Sequence, residues 1–159
     1  MQNITQFFHP LDIVREWNRV YGPAGFLQYQ FVVPFAASDT FRRCVEMIVS
    51  SGHVSCLNVL KRFGPGNAAP LSFPMPGWTL TVDLPIAAGL DRLCRALDEE
   101  VVGAGGRIYL AKDSRLSAER LREMYPRLDD FLAVRRAVDP DGRFTSDLAR
   151  RLGLASPAH

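Results

Sequence analysis

Lysine is scarce in this chain. Of its 19 basic residues only Lys61 and Lys112 are lysine; the rest are arginine. Cysteine and histidine number three each. Cys44, Cys56 and Cys94 are odd in number and far apart, which suits neither a zinc cluster nor a disulfide framework. They are expected to be small core residues of a reduced protein. His9, His53 and His159 have no partner at ligand spacing, so no metal site is expected and the three are assigned to the surface or to turns. No apolar run approaches the ~20 residues that cross a bilayer. The first residues, MQNITQFFHPLDIVREWN, include Asp12 and Glu16 and lack the basic-then-apolar order of a secretory signal. A soluble, cytoplasmic chain is the expectation. The net charge of +2 carries no electrostatic footprint for nucleic acid. Even the arginine-rich stretch 115–151 is balanced by seven acids, as on a solvated helical surface. FGPGNAAP lacks the Gly-Lys-Ser/Thr ending of a phosphate loop. GAGG follows a helix and precedes a strand, the reverse of a dinucleotide fingerprint.

What is present is an ordinary globular composition, 47% hydrophobic and 23% charged in 159 residues. A chain of this size folds as one domain and buries about 68–70% of its unfolded surface. GFLQYQFVVP (25–34) alternates as a strand, with Gln28 and Gln30 on one face and Tyr29 and Phe31 on the other. SDTFRRCVEMIVSSG follows at helical spacing and ends at Gly52. A second strand is expected over 53–63, then a Gly/Pro loop over 64–77. WTLTVDLPI (78–86) alternates again, placing Thr79, Thr81 and Asp83 opposite Leu80, Val82 and Leu84. A second amphipathic helix spans 88–102, and a fourth strand is expected over 107–111.

The order β-α-β-β-α-β predicts an α+β, ferredoxin-like antiparallel sheet with both helices on one face. The tail is read as helical, with Ser117 and Ser146 as caps and a break at Pro126. A helix is also expected over PLDIVREWNRVYG (10–22), with Leu11, Val14, Trp17 and Val20 packing together. The organisation expected is a helical lead-in over 1–24, a domain over 25–154 and a frayed tail over 155–159.

The polar sheet face has two readings: a wetted surface, or the floor of a binding site. The two lysines are equally open. They are incidental surface residues, or they are positions where a compact point charge is needed and arginine's planar fork is not.

Three strings narrow this: GFLQYQFVVP, LNVLKRFGPGNAAPLSFPMPGWTLTVDLP, and GGRIYLAKDSRLSAERLREMYPRLDDFLAVRRAVDPDGRFTSDLARRLGL. Together they resemble the C-terminal, substrate-binding half of the decaprenylphosphoryl-β-D-ribose 2-oxidases. More broadly they resemble the D-arabinono-1,4-lactone oxidase-like group of FAD-linked flavoproteins with the vanillyl-alcohol-oxidase fold. The similarity runs from about Phe8 to Leu154. It implies a two-domain oxidoreductase in which a separate domain binds FAD and this part closes the substrate pocket. A sugar CH–OH is oxidised to a ketone with hydride passing to the flavin, and in the ribose-lipid enzymes a partner reductase completes an epimerisation that feeds cell-wall arabinan synthesis.

Carried over residue by residue, the resemblance places Gln28 and Gln30 in the pocket, with Gln30 nearest the flavin. It assigns Lys61 and Phe63 to the substrate pocket. Tyr109 and Lys112 reach flavin and substrate, and Lys112 is the catalytic candidate. Thr79 and Thr81 stand where mycobacterial-type members carry Asn and Cys, so Thr81 offers no thiolate. A lipid-linked substrate implies a membrane-proximal site, although no amphipathic anchor demands one. The flavin domain is not in this chain, which is expected to be an expressed fragment, one subunit of a split enzyme or a truncated product. The rival expectation is a non-catalytic ferredoxin-like module that binds a ligand or a partner.

Overall fold

A computed structural model of the chain describes residues 3–8 and 15–155. Four strands form one antiparallel sheet: β1 (Phe26–Pro34), β2 (Asn58–Phe63), β3 (Gly77–Pro85) and β4 (Arg107–Ile108). Their order across the sheet is β2-β3-β1-β4, so β1 and β3, nine residues each, make the centre. The helices of the two βα units, α2 (Ser38–Ser50) and α3 (Leu90–Gly103), pack on each other and on β1. This is the expected α+β, ferredoxin-like arrangement. A short helix α1 (Ile4–Phe8) precedes the sheet; α4 (Ala118–Met124), α5 (Leu128–Val138) and α6 (Asp147–Arg151) follow it.

The helix-side face is the core. Tyr29, Phe31 and Val33 of β1 and Leu80, Val82 and Leu84 of β3 meet Cys44 and Ile48 of α2 and Leu93, Leu97 and Val101 of α3. Leu121, Met124 and Leu152 extend it under the C-terminal helices. Each such side chain contributes about 1.5–3 kcal/mol when fully withdrawn from water. Gly106 makes the close passage from α3 into β4 possible: a Cβ there would stand 2.4 Å from the Val32 carbonyl oxygen and 2.7 Å from that of Val101. Ser117 and Ser146 cap α4 and α6, accepting from the N–H groups of Arg120 and Ala149.

Several boundaries depart from expectation. β2 begins at Asn58, not at 53. The Asp83 N–H is shared between the Leu57 carbonyl and the Ser55 hydroxyl, and the next outward-facing position on β3 is Pro85, which has no N–H to give. β4 is two residues long, because after Tyr109 the chain winds into a 3-10 turn at Leu110–Lys112. Of the expected helix over 10–22, residues 10–14, with Leu11 and Val14, lie outside the described residues. Glu16 has φ 52°, a left-handed conformation that ends any regular helix, and only a 3-10 turn, Trp17–Tyr21, follows. Trp17 and Val20 are exposed and do not pack into the core. Cys44 and Cys94 are buried as expected, but Cys56 is exposed, since it belongs to the turn that replaces the start of the expected strand. His53 lies in that same segment, half-buried; His9 and His159 lie outside the described residues.

Candidate functional site

The site residues follow from strand register. On the face away from α2 and α3, β3 presents Thr79, Thr81 and Asp83, and β1 presents Gln28 and Gln30. Pairing sets Lys61 beside Thr79, Thr81 beside Gln30, and Asp83 beside Gln28. Phe63 lies opposite Gly77, and Tyr109 continues the ladder by donating its N–H to the Gln30 carbonyl, 2.9 Å away. Cross-strand neighbours of this kind sit within about 4.5–5.5 Å. Gln28, Gln30, Lys61, Phe63, Thr79, Thr81 and Tyr109 therefore stand on adjacent positions of one surface.

That surface is not a wetted sheet face, one of the two readings that the alternation leaves open. Gln30, Thr79, Thr81 and Asp83 are all buried, none more than 6% exposed. Loops do the covering. The Gly/Pro loop folds back so that Phe73 stacks on Tyr109, with ring centroids 4.5 Å apart, and meets Phe63 edge-on at 5.7 Å. Arg107 donates to the Ser72 carbonyl and Arg127 to that of Ala68, both at 2.6 Å, which holds the loop in place.

Lys112 arrives from the side. Its 3-10 turn is clamped by two buried ion pairs on the following residues. Asp113 accepts the N–H groups of Arg115 and Leu116, and its other oxygen pairs with Arg151 of α6 at 2.9 Å. Arg115 in turn pairs with Asp98 of α3, which also accepts the Tyr29 hydroxyl at 2.8 Å. Burial pushes the Asp98 carboxyl above its usual range, opposed by Arg115, and raises the Tyr29 hydroxyl well above its own.

Lys112 itself is half-buried and forms no ion pair among the described residues; nor does Lys61. Burial lowers the Lys112 pKa; Asp83 raises it, and the like charge of Lys61 adds to the lowering. Gln28, Gln30 and Lys112 line one small cleft. Gln28, Asp83 and Lys112 also line a larger groove of ≈ 630 Å³ walled by Trp17, Tyr21, Phe26 and Leu57. Tyr109 and Lys112 are three residues apart but stand at different edges of the face, one over Phe73 and one beside Gln28. The face thus combines amide and hydroxyl hydrogen-bonding groups, a flat aromatic pair and two ammonium groups without a carboxylate partner.

Two contributors were not among the residues singled out from sequence. Of the aromatic wall Trp17–Tyr21–Phe26, the residue pattern gives Trp17 a place in helix packing and Phe26 one on a strand face, and it puts Asp83 on the polar face without a role. A lone acid inside WTLTVDLPI is the signal that marks Asp83, because a carboxylate in a strand otherwise built of Thr, Val and Leu needs a reason to be there.

The D-arabinono-1,4-lactone oxidase family model matches residues 81–152. Over 154 residues the chain is 60% identical to the decaprenylphosphoryl-beta-D-ribose oxidase of Mycolicibacterium smegmatis, covering 97% of this chain and 34% of that protein. It is 50% identical over 131 residues to an uncharacterized protein in the mprA 5' region of Streptomyces coelicolor, covering 82% of this chain and 36% of that protein. A 58-residue stretch is 41% identical to the L-gulono-1,4-lactone dehydrogenase of Mycobacterium tuberculosis, covering 36% of this chain and 14% of that protein. The chain spans about a third of the length of the first two relatives. The chain is thus similar to D-arabinono-1,4-lactone oxidase-like proteins, and its likeness to the Mycolicibacterium smegmatis protein extends over almost the whole chain.

Proposed function

We propose that this chain forms the substrate side of an FAD-dependent oxidoreductase that oxidises a carbinol of a sugar, with the FAD held mainly by a separate domain or subunit. The observation that carries the reading is the shared face. Seven residues that the resemblance assigns to flavin or substrate stand together on it, clear of the helices, and Lys112 reaches the same clefts from its turn.

The residues suit a flavin. The Gln30 side-chain amide donates to Thr79 at 3.2 Å, and its Oε1 has no partner among the described residues. The Ser72 hydroxyl, on the covering loop, is buried and likewise without a partner among them. Tyr109 offers a flat ring, and Lys112 an ammonium with no carboxylate of its own. The chemistry a bound flavin supplies is acceptance of the hydride from the carbinol carbon. In this arrangement Gln30 and Tyr109 orient the ring system, and Lys112 favours negative charge where it develops. Gln28, Lys61, Phe63, Thr79 and Thr81 shape the pocket and bind the sugar. Loops over the face exclude water.

Of the two substrate types, a decaprenylphosphoryl-type sugar and a free aldonolactone, the apolar groove beside Lys112 favours the lipid-linked one. Val20, Leu57 and Ala111 give a prenyl chain a surface, and Lys61 and Lys112 give a phosphate its countercharge. A substrate of that kind puts the working enzyme beside a membrane and leaves its keto product to a partner reductase. Among the described residues no helix is long and apolar enough to cross a membrane.

The test is reconstitution. The chain is mixed with a candidate FAD-binding domain, and the visible flavin band is followed anaerobically on adding a ribosyl or aldonolactone substrate. Bleaching that requires both proteins is the expected result. No bleaching with any such substrate, together with stable ligand or partner binding, would identify a non-catalytic module.

A further inference from the structure

We propose that Asp83 is a specificity-determining residue of this site: the acceptor that recognises a sugar hydroxyl, with Trp17, Tyr21 and Phe26 forming the aromatic wall on which the sugar ring lies. The inference rests on the proposed sugar substrate and names the residue that selects it.

Asp83 is the only acid in the four strands, and it is 2% exposed. The side chains of Asp98, Asp113 and Asp139 are comparably buried, and each is met by an arginine: Arg115, Arg151 and Arg135. Asp83 has no such partner among the described residues, in a chain with arginine to spare. A carboxylate taken out of water without a countercharge is a standing cost to the fold. Its side-chain partners among the described residues are neutral donors. The Tyr21 hydroxyl gives to one oxygen and the Gln28 amide to the other, both at 2.6 Å. The bond to Asp83 pushes the Tyr21 hydroxyl up to about 12, so it stays a donor at any working pH. These two bonds fix the carboxylate's orientation without using its capacity, since each oxygen has a second lone pair.

Asp83 and Gln28 line the groove of ≈ 630 Å³ as its polar floor. Its wall is aromatic: Tyr21 stacks on Phe26 at 4.0 Å, and Trp17 stands edge-on to both at 6.1 Å. A sugar ring suits such a pairing. Its C–H face packs on aromatic rings, and its hydroxyls donate to a fixed carboxylate. An anionic group on this floor would be repelled by Asp83, so the floor selects the neutral polyol part of a ligand. Any anionic part is left to Lys112 at the rim.

The test needs no flavin. The 159-residue chain, labelled with ¹⁵N, is titrated with methyl β-D-ribofuranoside, following the Gln28 side-chain amide and the Trp17 indole. Both signals are expected to shift. Asp83→Asn should weaken binding by about tenfold or more, because the groove then offers an amide where a hydroxyl expects a carboxylate. Asp91→Asn, an exposed site on α3, should leave it unchanged. Unaltered affinity in a folded Asp83→Asn chain, or no binding by wild type, overturns the proposal. If Asp83→Asn does not fold, Trp17→Ala and Tyr21→Phe decide: weaker binding in both supports the proposal, and unchanged binding in both overturns it. Failure of the flavin assay leaves this titration standing, and failure of the titration leaves the flavin assay standing, so the two readings fall separately.

Discussion

The two faces of the sheet bury their residues by different means. On the helix side, Phe31, Leu84, Leu97 and Val101 have no exposed surface and are sealed by regular secondary structure. On the other side, Thr79 and Asp83 are almost as inaccessible, yet what covers them is a Gly/Pro loop, a 3-10 turn and a strip of aromatic residues. The first face is apolar and gains from burial. The second is polar, and its groups must find partners in one another or in a ligand. A fold gives up stability to keep such a face, and Lys112 and Asp83, which have no ion-pair partner among the described residues, are where that sacrifice shows.

The comparison can be broken most severely at the clamp joining the two sides. Arg115→Ala strands the buried Asp98 carboxylate and should cost about 3–5 kcal/mol. Thermal unfolding should fall by many degrees, at about 2–4 °C per kcal/mol for a chain this long. Leu97→Ala, on the sealed face, should cost about 2–5 kcal/mol. Thr81→Ala, which removes no side-chain hydrogen bond among the described residues, should cost far less in the same unfolding experiment. Equal losses would mean that both faces are simply core.

Lys112→Ala sharpens the contrast in the other direction. In the reconstituted enzyme it should reduce turnover roughly a hundredfold, the scale of one preorganised electrostatic contact, while the unfolding midpoint hardly moves. Wild-type activity in this variant would remove Lys112 from the mechanism. Because burial and Lys61 lower the Lys112 pKa, the alkaline limb of the rate profile should fall below the free-lysine value. Lys61→Gln should move that limb upward. For stability the sign is the same: a lysine whose folded pKa is lowered costs the fold while it is charged. That cost disappears as pH rises through the interval up to lysine's ordinary value.

The smallest effect is chemical. Cys56 is exposed, whereas Cys44 is buried with its thiol pushed up to about 11 by burial. Iodoacetamide should therefore modify Cys56 long before Cys44 or Cys94, as intact-mass and peptide mapping would record. A ligand seated in the groove that Cys56 lines should slow the reaction.

Much of this was legible in the residues. The period-two runs through Gln28–Val33 and Thr79–Leu84, set against the helical spacing of Leu90, Leu93, Leu97 and Val101, assign the faces correctly, since burial on one side of a sheet forces that alternation. The ends of β2 and β4 were not legible. They depend on Ser55 intercepting an N–H of β3 and on Asp113, just after the 3-10 turn, pairing with Arg151 of α6, both contacts outside any local pattern. The wall made by Trp17, Tyr21 and Phe26 was equally hidden, because its members belong to a turn and a strand, and no single period relates them.

By itself, then, the amino-acid order determined the α+β architecture, which sides of the strands are apolar, and the singling out of two lysines in a chain of arginines. Only the tertiary structure decided that the polar side is roofed over, that Asp83 lacks the arginine its buried counterparts have, and that Lys112 is carried to the same groove. The physical reason is range. Alternation and helical spacing are set within a few residues by backbone geometry. The roofing and the setting of Asp83 depend on groups 35 to 62 positions apart meeting in space, as Arg107 meets Ser72 and Tyr21 meets Asp83.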